Sequence, residues 1–553
     1  MEVILVIRLS IEGKLKEIQE DRSLKEIAER YADNMKQIVA ALVDNEMKNL
    51  DYIIEKDAVI NWVYRNSADG YRILSRTITL IFILAAKRVI PEHNIIVEHS
   101  IGNGLYLERK DGEALKHEEL YLIEKEMEKI IKEDLPIERK SVDRDIAISL
   151  FEKEGYADKI RLLKTLKKEE FDIYTVDGRY FSFHGYLAPA TKYIEKFRLH
   201  SYYPGVVIVI PTPESGGRVP PFKEEKSLAK IFESSKKWTD LLDIGSVGSL
   251  NEKILKKDID FLIHVSEAYF ENQVAAIAEN IVKDGSISMV QIAGPSSSGK
   301  TTLAYRLAVQ LGVHGLKPIP LHMDDYFVDR EDTPLDEEGK RDFEAFEAIQ
   351  LDLFNKDLLA LIEGEEIELP KFNFITGKSE RSGRKIKLEK KSILILEGIH
   401  GLNPKLTHLI PEKKKYKVYV SALTQLNMDS HNRISTTDVR LLRRMVRDTR
   451  TRGKSLDEVF TEWRGVRKGE KKNIYPYQDY ADIAIDSSLV YEIPVLKKYV
   501  MKLFDQYDRE GIYYKDVKRL KSFLKYFIEF EEEENIPSRS ILREFIGKKG
   551  EEA

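Results

Sequence analysis

The nine residues Gly294-Pro295-Ser296-Ser297-Ser298-Gly299-Lys300-Thr301-Thr302 make the most direct chemical statement in this sequence. Small residues between two glycines let backbone N–H groups close around phosphate oxygens, and a helix opening at the lysine adds the partial positive charge of its N-terminus. Lys300 would neutralise the outer phosphates of a nucleotide, and the Thr301 hydroxyl is placed to ligate Mg²⁺. A Gly/Ser-rich turn that binds nothing would need neither the lysine nor the threonine. An apolar run, Met289–Ala293, precedes the loop and an apolar-faced helix follows it, which is the context such a loop requires.

Phosphoryl transfer also needs acids, to hold a metal and to orient an acceptor. Leu321-His322-Met323-Asp324-Asp325-Tyr326 puts two carboxylates at the end of one apolar run, and Ile393-Leu394-Ile395-Leu396-Glu397-Gly398 puts one at the end of another. In open α/β sheets ligands bind at that edge. An unpaired acid ending a buried strand is costly, which favours function for Asp324 and Glu397. Asp325 is equally suited to capping the next turn. Downstream, Arg440, Arg443, Arg444 and Arg447 follow i, i+3, i+4, i+7 spacing and share a helix face. The stripe reads as a mobile lid that stabilises transferring charge, or as a solvated basic face.

These residues need a scaffold. At roughly 150 residues per domain, 553 residues imply three or four domains. Candidate strands Met289–Ala293, Pro318–Met323, Ser392–Leu396, Tyr416–Val420 and Ile483–Ile485 alternate with helical stretches, the signature of a parallel α/β sheet. Before them, residues 1–62 read as a small α+β unit. It has a strand at Val3–Ile7, a turn at Gly13 and a Ser23-Leu24-Lys25-Glu26 capping box. Residues 63–225 mix amphipathic helices with short strands and end at the proline- and glycine-rich punctuation from Pro211 to Pro221. A helical connector (226–284), the α/β unit (285–490) and a helical tail (491–553) follow. In the tail Ser538 is expected to cap a last helix ending at Gly547.

Composition narrows the classes further. With no cysteine, a disulfide scaffold, a thiolate metal site and a cysteine nucleophile are excluded. A net charge of −5 calls for neither nucleic acid nor a membrane surface. The most apolar run, Ile78–Ala86, is too short to span a bilayer and reads as a buried helix. The opening residues carry no basic leader, so a soluble, cytoplasmic protein is expected.

Together, the loop, Asp324-Asp325-Tyr326, Glu397-Gly398-Ile399 and the run from Arg440 to Gly453 resemble the uridine/cytidine kinase and phosphoribulokinase group of P-loop kinases. The resemblance implies ATP as donor, Mg²⁺ held by Thr301 and Glu397, and Asp324 as the base facing a nucleoside 5′-hydroxyl. It also implies Glu344 at the ribose-binding acid position, and Phe372 within Leu369-Pro370-Lys371-Phe372-Asn373-Phe374 lining the nucleobase. Asp325, Tyr326 and Arg440 join the acceptor side, and Lys300, Arg443, Arg444 and Arg447 the catalytic charge. Where pyrimidine-specific members carry a base-reading histidine, this chain has Gly377.

The first half resembles the N-terminal region of threonyl-tRNA synthetase. Residues 1–62 are similar to a TGS domain and 63–225 to the second additional domain, which edits mischarged tRNA. The four editing positions here read Arg76, Leu80, Phe183 and Leu187, none suited to metal or acid–base work.

The expectation is an ATP-dependent nucleoside kinase. The alternatives are a kinase of another small alcohol and an RNA- or ribosome-associated NTPase switch. RNA, through the first half, and further copies of the chain are the candidate macromolecular partners.

Overall fold

The structure is a computed structural model that describes residues 7–19, 21–373 and 376–547. The expected strand at Val3–Ile7 lies mostly outside these residues. A strand runs instead from Ile7 to Ile11 and turns at Gly13 into Lys14–Ile18. These two join Ala58–Tyr64, Ile38–Val43 and Glu46–Lys48 in a five-stranded mixed sheet. The helix Leu24–Tyr31 packs on it, opened by the Ser23/Glu26 capping box.

The apolar run at Ile78–Ala86 lies within the helix Ala68–Val89, buried on nearly every side. It packs against a four-stranded sheet ordered Arg198–Tyr202, Gly205–Val209, Gly104–Arg109, Ile95–Ile101. Leu80, Phe183 and Leu187 belong to that core. The Arg76 guanidinium donates to the Tyr186 carbonyl at 3.1 Å and fills the space beside Gly185, whose positive φ of 103° lets the backbone approach it. Among the described residues no helix is long and apolar enough to cross a membrane.

The C-terminal region holds five parallel strands: β1 (Met289–Ala293), β2 (Lys317–His322), β3 (Ser392–Glu397), β4 (Lys415–Ser421) and β5 (Ile483–Asp486). Their order is β2-β3-β1-β4-β5. All five residues of β1 are buried, as a central strand covered on both faces requires. Register pairs Ile292 with Glu397 and His322 with Glu397, so β1, β2 and β3 end at one edge.

Helix α1 (Lys300–Val313) leaves β1 through the glycine-rich loop. Helices α2 (Thr436–Arg452), α3 (Leu456–Asn473) and α4 (Glu492–Asp505) cover the other side of that loop. In the tail, Phe523 and Leu524 end α5 (Tyr514–Leu524) and Phe527 packs just beyond it. The last helix, α6 (Arg543–Ile546), is a single turn ending at Gly547. Its start is not at Ser538. Ser540 lies nearer, and its hydroxyl accepts from the Leu542 N–H at 3.2 Å.

One hydrophobic core runs through Phe151 and Leu163 of the second region, Leu250 and Phe270 of the connector, Leu307 and Val446 of the parallel-sheet region, and Leu524 of the tail. A hairpin between β4 and α2 (Asn427–Asp429 with Asn432–Arg433) reaches into the first half. There Asp429 pairs with Lys159 at 2.6 Å, both buried, and Asn432 accepts from the His184 N–H at 2.7 Å.

Candidate active site

The loop from Gly294 to Gly299 is braced from outside through its carbonyls. Arg440 Nε donates to Ser296 at 2.9 Å, Arg443 to Ser297 at 3.3 Å, and the Ser487 hydroxyl to Ser298 at 2.6 Å. A trans peptide carries its N–H opposite its carbonyl, so three carbonyls turned outward leave the N–H groups of Ser297, Ser298 and Gly299 facing inward. Ser297 (φ 58°) and Gly299 (φ 79°) supply the left-handed turns this curl needs. The Ser298 N–H turns back onto the Pro295 carbonyl at 3.2 Å, and the inner side of the loop, at the start of α1, is an anion cradle. Lys300 leans over it, donating to the Pro295 carbonyl at 3.3 Å.

This bracing corrects two sequence expectations. Arg440 and Arg443 are fully buried and tied to Glu470 and Glu492. They form the floor beneath the loop rather than a mobile lid, and Arg440 does not face an acceptor. The i, i+3, i+4, i+7 stripe is one face, but that face packs against the loop. Arg444 donates to the Ser296 hydroxyl at 3.0 Å and pairs with Glu462 at 2.7 Å. Arg447 pairs with Asp448 at 2.8 Å.

At the sheet edge, Thr301 Oγ1 donates to Glu397 Oε1 at 3.1 Å, and His322 Nδ1 meets the same oxygen at 2.8 Å. Burial pushes the Glu397 carboxyl up, but the His322 hydrogen bond and the Lys300 charge outweigh it and hold it below the usual range. A hydroxyl and an ionised carboxylate this close are the hard oxygen donors that suit Mg²⁺. His322 was not picked out from the sequence. Its signal was present two residues before Asp324, at a strand end that the register sets beside Glu397.

Asp324 sits in the turn Met323–Tyr326. Its side chain is exposed to solvent, yet it stands close to the sheet edge and to the charges of Glu397 and Lys300. Desolvation by the protein around it, followed by the Glu397 charge, raises its carboxyl to about 6. Lys300 and Arg452 pull the other way. Glu344 shares the Lys300 charge with Asp324. Burial and then Glu470 raise it to about 7, against Arg444 and Lys300. Its Oε2 is buried without a hydrogen-bond partner, a carboxyl edge with capacity to spare.

The remaining acceptor-side residues divide. Asp325 is half-buried, and burial raises its carboxyl. Phe372 packs edge-on against Phe327 at 5.7 Å. Phe374 lies outside the described residues. Tyr326 must be reassigned, because it is buried in the core against Phe354 and its hydroxyl donates to Asp357 at 3.1 Å. In a tight turn, residues two apart point to different sides, so Asp324 takes the solvent side and Tyr326 the core. Gly377 adopts φ 72°, and the Arg330 side chain occupies the space a side chain there would need.

A β2-β3-β1-β4-β5 parallel sheet with an anion-cradling loop after β1 and acids ending β2 and β3 defines a P-loop phosphotransferase. Residues 289–493 match the Phosphoribulokinase / Uridine kinase family. The chain is 32% identical over 199 residues to a uridine kinase of Lactobacillus helveticus (strain DPC 4571), which covers 36% of this chain and 85% of that enzyme. The chain belongs to the Phosphoribulokinase / Uridine kinase family and is a phosphotransferase with an alcohol acceptor.

The N-terminal part is similar to a threonine–tRNA ligase of Clostridioides difficile (strain 630), at 31% identity over 192 residues. The match covers 34% of this chain, which spans only 30% of the ligase's length. The D-glycerate 3-kinase structure from Cryptococcus neoformans covers 38% of this chain and 89% of its own, at 12% identity and a TM-score of 0.27.

Proposed function

We propose that this chain transfers the γ-phosphoryl group of ATP to the 5′-hydroxyl of a nucleoside. The observation that carries the reading is Asp324, a carboxyl raised to about 6 beside the charges of Lys300, Glu397 and Glu344. Near neutral pH it is ionised yet basic enough to accept a hydroxyl proton. The inward N–H groups and Lys300 would cradle the polyphosphate, while Arg444 and Arg447 would meet charge developing on the transferred group. Thr301 and Glu397 would hold Mg²⁺, which supplies charge neutralisation between the outer phosphates. The free edge of Glu344 would accept hydrogen bonds from sugar hydroxyls.

A second reading, a kinase of another small alcohol, is favoured by Gly377. No side chain at 377 can reach a base, and Arg330 fills the adjoining space. Incubating a panel of nucleosides, sugar phosphates and other small alcohols with Mg·ATP, scored for ADP and for phosphorylated product, decides between the two. Nucleotide hydrolysis with no acceptor phosphorylated would favour an NTPase switch and sink both.

On the same footing we read residues 1–62 as TGS-like and 63–225 as an editing-like scaffold without its chemistry. The basis is the filled positions Arg76, Leu80, Phe183 and Leu187.

A further inference from the structure

The C-terminal segment from Ser540 to Gly547 returns to the phosphate loop. Glu544 Oε2 accepts from Thr302 Oγ1 at 2.5 Å. Thr302 is the third residue of α1, and the first-turn N–H groups of a helix have no intrahelical partner and favour negative charge. Glu544 thus brings a carboxylate to the helix end that the loop otherwise offers to phosphate.

The rest of the segment packs on the outer side of the loop, where Ser487 and Arg443 brace it. Ile541 lies directly over Gly299, so that even a methyl group on that glycine would strike its side chain. Arg450 Nε donates to the Phe545 carbonyl at 3.3 Å, and the Arg443 guanidinium faces the Phe545 ring at 5.0 Å. Thus α2, which braces the loop through Arg440 and Arg443, also carries the tail. Arg543 ties the segment back through the Glu533 and Ile536 carbonyls, each at 2.8 Å. A single helical turn is unstable alone, so packing holds the segment in place.

We infer that Ser540–Gly547 is an autoinhibitory strap. Docked, it sets the Glu544 carboxylate against Thr302 at the start of α1, where it competes with the polyphosphate of a nucleotide. For the donor to enter, the strap must lift. The inference rests on the reading of the loop as a donor site. Two ligands that exclude each other from one helix end are reciprocally coupled, so whatever frees the tail strengthens donor binding.

The test uses the full chain, Glu544→Gln and Lys300→Ala, titrated with fluorescently labelled ATP and Mg²⁺. Amide hydrogen exchange of residues 540–547 is followed in the unaltered protein with and without Mg·ATP. The strap predicts roughly 5- to 20-fold tighter binding by Glu544→Gln, within the usual range of coupling between sites. It also predicts that the tail amides lose protection when nucleotide is added.

Unchanged or weaker binding by Glu544→Gln, with binding lost in Lys300→Ala, would overturn the strap and leave the donor reading standing. Tighter binding with unaltered tail protection would reduce Glu544 to a static charge, and that too overturns the strap. Absence of nucleotide binding in every protein would overturn both. Should Glu544→Gln fail to fold, the exchange measurement on the unaltered chain still decides.

Discussion

Arg443 donates to the Ser297 carbonyl at 3.3 Å while pairing with Glu492 at 2.8 Å, and both charged side chains are buried. One guanidinium therefore fixes a loop peptide and anchors α2 to α4. Removing one partner of such a pair leaves an uncompensated buried charge, at a cost of about 3–5 kcal/mol. Arg443→Met should lower the unfolding free energy by that order and weaken nucleotide binding. The double change Arg443→Met with Glu492→Met should recover stability without recovering binding, because the Ser297 carbonyl stays unbraced. Denaturant unfolding and nucleotide titration on both variants check this; equal recovery of both properties would mean the pair is structural only.

Lys300→Ala should abolish phosphoryl transfer while the fold is kept. The lysine is part of no buried ion pair among the described residues, and it hydrogen-bonds a carbonyl of its own loop. Circular dichroism with an ADP-release assay separates the two effects. Full activity in a folded variant would remove the loop from the chemistry.

Asp324→Asn should leave nucleotide binding intact and lower kcat by roughly 10²–10⁴-fold, the usual worth of a positioned base. The unaltered enzyme should show kcat/KM falling as pH drops through about 6, since the carboxyl must be ionised to accept a proton. Above that pH the rate should level off. The acidic limb should vanish in Asp324→Asn, and a limb that persists would belong to another group, His322 being the nearest alternative.

Base selectivity should be weak. A site that rejects a wrong base by orders of magnitude needs a buried polar partner for it. Gly377 supplies none, and Phe372 offers only a ring. Comparing kcat/KM for uridine, cytidine, adenosine, guanosine and inosine checks this. A strict preference for uridine and cytidine would show that Arg330 or another side chain has taken over the contact.

Asp429→Ala should destabilise the full chain by about 3–5 kcal/mol, because Lys159 would be left charged and buried at the junction of the two halves. The same protein should not deacylate mischarged tRNA, with or without added Zn²⁺, since apolar side chains and Arg76 fill the editing positions. Thermal unfolding and a seryl-tRNA hydrolysis assay test the two statements separately.

The sequence alone determined the features that depend on local spacing. Gly294, Gly299, Lys300 and Thr301 are close neighbours, and a loop between an apolar strand and a helix has few ways to arrange them. Strand ends at Asp324 and Glu397 were legible for the same reason: burial on both faces writes a continuous apolar run, and the first acid marks where it leaves the sheet.

Tertiary structure decided the rest. Periodicity placed Arg440, Arg443, Arg444 and Arg447 on one face but could not say what that face meets. Glu470 and Glu492, the partners of Arg440 and Arg443, lie 30 and 49 residues away in the chain. Tyr326 followed two acids in sequence, yet the turn that leaves Asp324 exposed at the sheet edge sends Tyr326 into the core. Glu544 reaches Thr302 across 242 residues. No local pattern encodes that meeting, because it depends on how the parallel sheet, α2 and the tail pack around one core.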